Sequence, residues 1–307
     1  MASFNMNELE HLQIPLKDIL SATNNFHKQN YLGGGGFGKG KVYKGELLLS
    51  EGLTMVTLKR LDRLLYGQGE SGFFEEIRML SQYKHVNLIS LLGFCIEGRE
   101  MILVYEYASK GSLDRWLTRP DQLSWNKRLH ICIGAARGLS FLHYPGDDGT
   151  LQTLLHRHIQ SANILLDHNW NAKVVDNGLS KMDPLGTPGY ADPLYIETGI
   201  VTMESDVYSF GVVLFELLCG RLCKEYSNGQ LNIFVPYWKK AYEENKLEEI
   251  IFKDTLEQIS PDCLETFSRV AYQCLHEDRE ERPPMALILT ELKIALELQV
   301  SIIFSTL

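Results

Sequence analysis

Leu32-Gly33-Gly34-Gly35-Gly36-Phe37-Gly38, followed by Lys41-Val42-Tyr43-Lys44-Gly45, is the stretch on which the architecture turns. Gly33, Gly35 and Gly38 form a G-x-G-x-x-G, and glycines let backbone amides approach phosphates with no side chain in the way. A dinucleotide-binding fold needs a helix directly after such a loop. Residues 41–45 read as a strand instead, so the glycines belong to a hairpin. One strand later, Val56-Thr57-Leu58-Lys59 puts Thr57 and Lys59 on one face by two-residue alternation. Phe73, Ile77 and Leu80 then mark a helix over 73–83. Glu76 lies on that helix, seventeen positions after Lys59, ready to hold the lysine ammonium.

Outward from this core, residues 31–107 keep a strand-like texture. Apolar runs such as Met55-Val56-Thr57-Leu58 and Met101-Ile102-Leu103-Val104-Tyr105 alternate with glycine-rich or charged breaks. Ahead of them, residues 12–24 read as an amphipathic lead-in with Leu16, Ile19 and Leu20 on one helical face. After Gly111 the periodicity becomes helical. Residues 125–143 carry Leu129, Ile133, Ala136, Leu139 and Leu142 on one stripe, and 206–219 are apolar nearly all round, as in a helix buried on every side. Two further stripes follow, through Leu264, Phe267, Ala271 and Cys274 and through Met285, Ile288, Leu292 and Ala295. A strand-rich half thus precedes a helix-rich half, with a crevice expected between them.

The chain has 307 residues, 45% apolar and 22% charged, which excludes a disordered chain, a collagen and a disulfide miniprotein. Its net charge of −9 makes it a poor general nucleic-acid binder. No apolar run approaches the ~20 residues that span a bilayer. The start, Met1-Ala2-Ser3-Phe4, lacks the features of a signal peptide, and Ala2 stands where myristoylation needs Gly. Cys95, Cys132, Cys219, Cys223, Cys263 and Cys274 are scattered, all but Cys223 among apolar residues. They read as reduced thiols, with a Cys219/Cys223 metal pair as the alternative.

Further along stand His156-Arg157-His158-Ile159-Gln160-Ser161-Ala162-Asn163-Ile164-Leu165-Leu166 and then Asp176-Asn177-Gly178. Together with the glycine hairpin, these motifs make the chain resemble the eukaryotic protein kinase family from about Phe26 to about Leu298. It is most similar to the plant receptor-like kinase branch, through Ala22-Thr23-Asn24-Asn25-Phe26, Leu91-Leu92-Gly93-Phe94-Cys95, Leu103-Val104-Tyr105-Glu106-Tyr107, Gly111-Ser112-Leu113, Ala135-Ala136-Arg137-Gly138-Leu139 and Ser205-Asp206-Val207-Tyr208-Ser209-Phe210-Gly211. The resemblance implies an α+β, bilobal protein-kinase fold with a strand-rich N-lobe and a helical C-lobe. The expected division is a lead-in over 1–26, an N-lobe over 27–108, a C-lobe over 109–298 and a tail over 299–307. It implies ATP and Mg²⁺ as cofactors. Leu32, Gly33, Gly35, Gly38, Val42, Lys59, Glu76, Glu106, Ala108 and Leu165 would meet the nucleotide, and Asn163 and Asp176 would meet the metal through oxygens. Tyr105 would be the gatekeeper, and Asp206 would anchor the backbone of the catalytic loop.

The departures from that family are as informative. His158 stands where the family has the Asp that accepts the proton of the attacking hydroxyl, and Gln160 where it has a phosphate-steadying Lys. A positioned acid–base group is worth about 10²–10⁴ in rate, and one electrostatic stabiliser about 10²–10³. Asn177 replaces the usual Phe, Thr57 a common Ala, and Lys39-Gly40 is an insertion that would loosen the lid. In Asp192-Pro193-Leu194 the family's Glu is Leu194, so Arg282, its usual partner, needs another. The segment from Asp176 to Leu194 is short, with Ser180 and Thr187 as its Ser/Thr hydroxyls. Arg157, which would otherwise grip a loop phosphate, is expected to make a structural contact.

These features lead to the expectation of a pseudokinase. It would bind ATP weakly with Mg²⁺ and act as an allosteric or scaffolding partner in plant receptor-kinase or immune-type signalling. Its partner would be a signalling protein, such as an active receptor-like kinase or an immune receptor, with no nucleic acid and no membrane span. Its location would be the cytoplasm, or the plasma-membrane periphery through a partner. The alternatives are a slow serine/threonine kinase using His158 as the base, and a scaffold with an empty pocket.

Overall fold

The computed structural model describes residues 9–34, 40–50, 52–61, 70–146, 151–175 and 187–305. Within them two compact units separate. One runs to His85 and adds Ile89–Ala108; the other takes Val86–Leu88 and everything from Ser109. The elements in chain order are α1 (Leu16–Ala22), β1 (Tyr31–Gly34), β2 (Gly40–Leu49), β3 (Gly52–Leu61), α2 (Glu70–Gln82), β4 (Leu91–Glu97), β5 (Glu100–Glu106), β6 (Gly111–Ser112), α3 (Trp125–His143), β7 (Ile164–Leu166), β8 (Ala172–Val174), α4 (Pro193–Thr198), α5 (Met203–Cys219), β9 (Lys224–Ser227), β10 (Gln230–Ile233), α6 (Val235–Glu243), α7 (Lys253–Leu256), α8 (Pro261–Cys274) and α9 (Met285–Ser305). A strand-rich N-lobe and a helical C-lobe are therefore present, as the sequence implied.

The first unit is built on an antiparallel sheet in the order β1-β2-β3-β5-β4. Alternation sorts its faces. Val56 and Leu58 of β3 join Leu47, Cys95, Ile102, Val104 and Ile19 of α1 in one buried layer. The opposite set, Thr57, Lys59, Leu103 and Tyr105, faces α2. The lead-in packs tightly on the sheet. Ile14 N donates to Phe94 O at 2.8 Å. A Cβ on Gly93 would stand 2.5 Å from Ile14 Cδ1, so only glycine admits this crossing. Thr23 closes the turn by donating to Ile19 O and accepting from Phe26 N, while Asn24, Asn25 and Phe26 all adopt positive φ. The Phe26 ring then lies under the Arg60 guanidinium, at 4.4 Å, and Arg60 is gripped by Glu100. At the inserted Gly40 the β2–β3 ladder is regular, with Gly40 opposite Leu61. The rest of the lid tip, including Gly35 and Gly38, lies outside the described residues.

In the second unit α5 is buried on every side, as its composition demanded. It begins three residues before the apolar run, where Ser205 Oγ accepts from Thr202 N at 3.2 Å, and it ends at Gly220 in the left-handed conformation (φ 72°). Val86–Leu88 packs on α3, where Asn87 donates to Ala172 O and Gly134 and Gly138 leave room for it. α9 runs to Ser305 without a break at residue 298. No helix among the described residues is long and apolar enough to cross a membrane. All six cysteines are buried and unpaired, including Cys223, which the sequence had set apart. Burial pushes the Cys219 and Cys223 thiols well up, and no group of three or more metal-ligating side chains occurs among the described residues.

Arg128 ties the helical unit together. It is fully buried and donates to Leu123 O, Leu117 O and Leu217 O, the last a carbonyl of the final turn of α5. Burial lowers its pKa to about 10. An Arg128→Met variant leaves three buried carbonyls unpaired, each costing ~1–3 kcal/mol when unsatisfied. The expected result is a melting temperature lower by at least several degrees in a thermal scan.

Candidate functional site

The segment 156–166 is bent by its own backbone and held by one carboxylate. Arg157 has φ 68°, a left-handed conformation that a branched-free but bulky side chain pays for in strain. Asp206, in the first turns of α5, accepts from His156 N and Arg157 N at 2.7 Å each and from His143 Nε2 at 3.0 Å. His156 Nε2 donates to Val175 O while its Nδ1 accepts from His158 N. Arg157 makes its structural contact through this backbone amide. Its side chain is exposed, with no ion pair among the described residues.

This clamp sets His158, Gln160 and Asn163 against one another. Asn163 Nδ2 donates to His158 O at 2.8 Å and lies 3.1 Å from His158 Nδ1. The carbonyl fixes that end of the amide as the nitrogen, so Nδ1 is an acceptor and Nε2 carries the proton. His158 Nε2 in turn lies 3.2 Å from Thr187 Oγ1 and 3.1 Å from the Gln160 amide. Thr187 accepts, and a half-turn of the Gln160 amide brings its oxygen to Nε2. The imidazole is thus engaged at both nitrogens. Asn163 Oδ1 carries no hydrogen bond among the described residues, and a hard oxygen there suits Mg²⁺. Asp176, the second expected metal residue, lies outside the described residues, as do Asn177 and Ser180. Leu165 is half-buried on β7, opposite Lys173.

In the first unit, Gly33, Val42 and Lys59 form a lateral row across β1, β2 and β3. Leu32 is exposed beside Gly33. Lys59 Nζ lies 3.6 Å from Glu76 Oε1. The sequence did not reveal that Tyr105 OH donates to the same oxygen at 2.6 Å, joining β5 to α2. Its only signal was a tyrosine at the gatekeeper position. Glu106 exchanges two hydrogen bonds with Ser90, through its N and its Oε1, and Ala108 is buried.

Arg282 does find its other partner. Asp192, two residues before Leu194, accepts from Arg282 Nη2 at 2.9 Å and from Arg279 Nη2 at 2.6 Å, and Ser205 Oγ donates to it at 2.9 Å. Burial alone would raise the Asp192 pKa. The two guanidinium groups outweigh it and hold the carboxyl below the usual range. Leu194 lines an open surface groove with Ile196, Tyr208 and Val235. Glu216, in the last turn of α5, is a fully buried acid. Its Oε1 accepts from Tyr190 OH at 2.6 Å and Cys223 N at 2.7 Å, and its Oε2 has no hydrogen-bond partner among the described residues. Burial raises its pKa to about 7.

The β1–β2 hairpin, the Lys59–Glu76 pair, the clamped loop and the buried α5 are features of the protein-kinase fold. The family model for protein tyrosine and serine/threonine kinases matches residues 26–292, and the chain belongs to that family. Its kinase domain is similar to those of plant receptor-like kinases. It is 41% identical to the Arabidopsis thaliana receptor-like protein kinase FERONIA over 298 residues, covering 92% of this chain and 32% of that protein. It is 42% identical to ANXUR2 of the same plant over 298 residues, 92% of this chain and 34% of that one. With HERK 1, again from Arabidopsis thaliana, it shares 42% over 305 residues, 95% and 36%. The chain spans about a third of the length of these relatives. Protein kinases generally use ATP and Mg²⁺.

Two stability experiments follow. Because Asp192 already neutralises Arg282, Leu194→Glu should leave the melting temperature within the small range of surface substitutions, about ±0.5 kcal/mol. Asp192→Ala leaves a buried arginine unpaired and should cost about 3–5 kcal/mol in denaturant unfolding.

Glu216 predicts a pH dependence. Its folded pKa of about 7 lies above the ordinary value of 4.5. The folded state therefore keeps a proton that the unfolded chain has lost, so this contribution is full below pH 4.5 and disappears as pH rises through about 7. Glu216→Gln removes the slope. Relative to wild type, the variant should gain on the order of 3 kcal/mol between pH 4.5 and 8, read from urea unfolding at each pH.

Proposed function

We propose that this kinase domain is a pseudokinase, which binds nucleotide weakly with Mg²⁺ and signals by engaging another protein. The observation that carries the reading is the state of His158. At the family's carboxylate position stands an imidazole whose Nδ1 lies against the Asn163 amide and whose Nε2 faces Thr187 and Gln160. Such a ring presents a donor rather than a base where a substrate hydroxyl would arrive, and Gln160 brings no charge to the transferring phosphate. The roles assigned to Leu32, Gly33, Gly35, Gly38, Val42, Glu106, Ala108 and Leu165 around adenine and phosphates, and to Asn163 and Asp176 at the metal, are part of this proposal. The Lys59–Glu76 pair and the open Asn163 Oδ1 support nucleotide binding. When bound, Mg²⁺ would neutralise phosphate charge. The residues of this chain would orient the nucleotide, with Lys59 holding phosphate oxygens and Glu76 holding Lys59.

The partner in this reading is a signalling protein, such as an active receptor-like kinase or an immune receptor. The location is the cytoplasm, or the plasma-membrane periphery through that partner.

The test has two readouts. Saturating ATP with Mg²⁺ should raise the melting temperature, since a ligand at 100 times its Kd adds ~2.7 kcal/mol. Lys59→Ala should abolish the rise, and no rise in wild type would favour the empty scaffold. In a radiolabelled transfer assay wild type should be silent over hours. His158→Asp with Gln160→Lys should gain transfer above the Asp176→Ala control, because a carboxylate at 158 can accept from Asn163 while restoring the base. Wild-type transfer that disappears in Asp176→Ala would make the chain a slow serine/threonine kinase and sink the pseudokinase reading.

A further inference from the structure

Two tryptophans and three cations gather on a surface of the helical unit that the kinase machinery does not use. Trp116 and Trp170 pack edge to face, with centroids 5.0 Å apart. Lys110 Nζ stands 4.4 Å and Lys127 Nζ 4.5 Å from the centre of the Trp170 ring, and the Arg119 guanidinium lies 5.4 Å from that of Trp116. None of these three cations has a carboxylate partner among the described residues. Asp167, the nearest acid in sequence to Trp170, is spent on its own turn: it accepts from Asn169 N, Asn171 N and Asn171 Nδ2. In a chain of net charge −9, two ammonium groups drawn to one ring without a counter-ion are unusual.

The group is also fixed in place. Trp116 Nε1 donates to Lys110 O at 2.9 Å, Lys110 N donates to Leu166 O, and Lys127 Nζ donates to Gln122 O at 2.8 Å. Trp170 sits at φ 68° in the turn that Asp167 closes. Each ammonium keeps protons for a further acceptor, and the indole lowers the cost of holding two like charges together.

We propose that Lys110, Lys127 and Arg119, backed by Trp116 and Trp170, form a binding site for a phosphate monoester carried by a phosphorylated partner protein. A phosphomonoester brings a charge of about −1.5 to −2 and three acceptor oxygens, and so can offset more than one of these cations where a single carboxylate would leave charge uncompensated. A membrane surface fits less well. The tryptophans are half-buried and packed on each other rather than projecting, and the chain as a whole is acidic. The inference deepens the scaffolding reading by naming the chemistry of the partner.

The experiment uses the full chain without nucleotide, so its failure leaves the ATP and transfer results untouched. Trp125 and Trp238 are buried, and tryptophan emission will report chiefly on the proposed site. A short alanine-based peptide bearing one phosphoserine is titrated against its unphosphorylated twin, with inorganic phosphate as competitor. Phosphatidylcholine vesicles with and without phosphatidylserine form a separate arm. The expected result is a saturable, salt-sensitive shift with the phosphopeptide, competed by phosphate and absent with the twin. It should weaken at least tenfold in Lys110→Gln/Lys127→Gln while the melting temperature holds. No saturable shift, equal binding by the double variant, or a response to acidic vesicles alone would each overturn the assignment.

Discussion

The Asp206 carboxylate is the constraint on which the catalytic segment depends. A buried acid at the start of an apolar helix is costly to desolvate. It is tolerated here because it sits in the first turns of α5, where the helix dipole favours negative charge, and because it takes hydrogen bonds from two consecutive amides and a histidine. Those two amides can converge on one side chain only if the backbone between them turns sharply, and Arg157 supplies the turn at positive φ. The direction of His158 and the reach of Asn163 follow from that bend. The clamp depends on neither residue, so the loop keeps its shape whatever occupies position 158.

Position 158 shows what changes when shape is kept and charge is not. Asn163 needs an acceptor next to the His158 carbonyl, and Thr187 needs a partner from the loop. The imidazole provides both, one at each nitrogen. Gln160 completes the set with an amide 3.1 Å from Nε2. Replacing acid and lysine together by neutral groups leaves no unpaired charge behind, whereas replacing one alone would. The paired substitution is thus electrostatically coherent.

Much of this was legible in the residues. The α3 stripe over 125–143 coincides with the helix, because burial of that stripe leaves a clear period. The start of α5 was not, because a local Thr202–Ser205 hydrogen bond rather than apolar periodicity marks it. β9 and β10 escaped as well, although Asn228-Gly229, both at positive φ, is a recognisable hairpin turn. The lead-in was seen as amphipathic, but its crossing over Gly93 depends on a contact between distant segments. Arg128 stands in the sequence as one basic residue in an apolar helix. Its three acceptors come from separate segments, and no spacing rule joins them. The Tyr105–Glu76 bond has the same character: strand register places the hydroxyl, and register is a property of the folded sheet.

The ion pair around Arg282 carries the argument furthest. Sequence alone says that the usual glutamate is a leucine and that a buried guanidinium is therefore stranded. A buried charge must be neutralised, but nothing requires the neutralising group to stay at one position. Asp192 is shorter than glutamate and stands two residues earlier, on the N-cap of α4, where its Oδ1 also accepts from Leu194 N. From there it reaches Arg279 as well as Arg282, so one carboxylate joins α4, the start of α5 and the segment before α9. The platform that carries Thr187 and Tyr190 is fixed by this relocated pair. The loss of the glutamate is therefore a loss at one position and not a loss of the interaction.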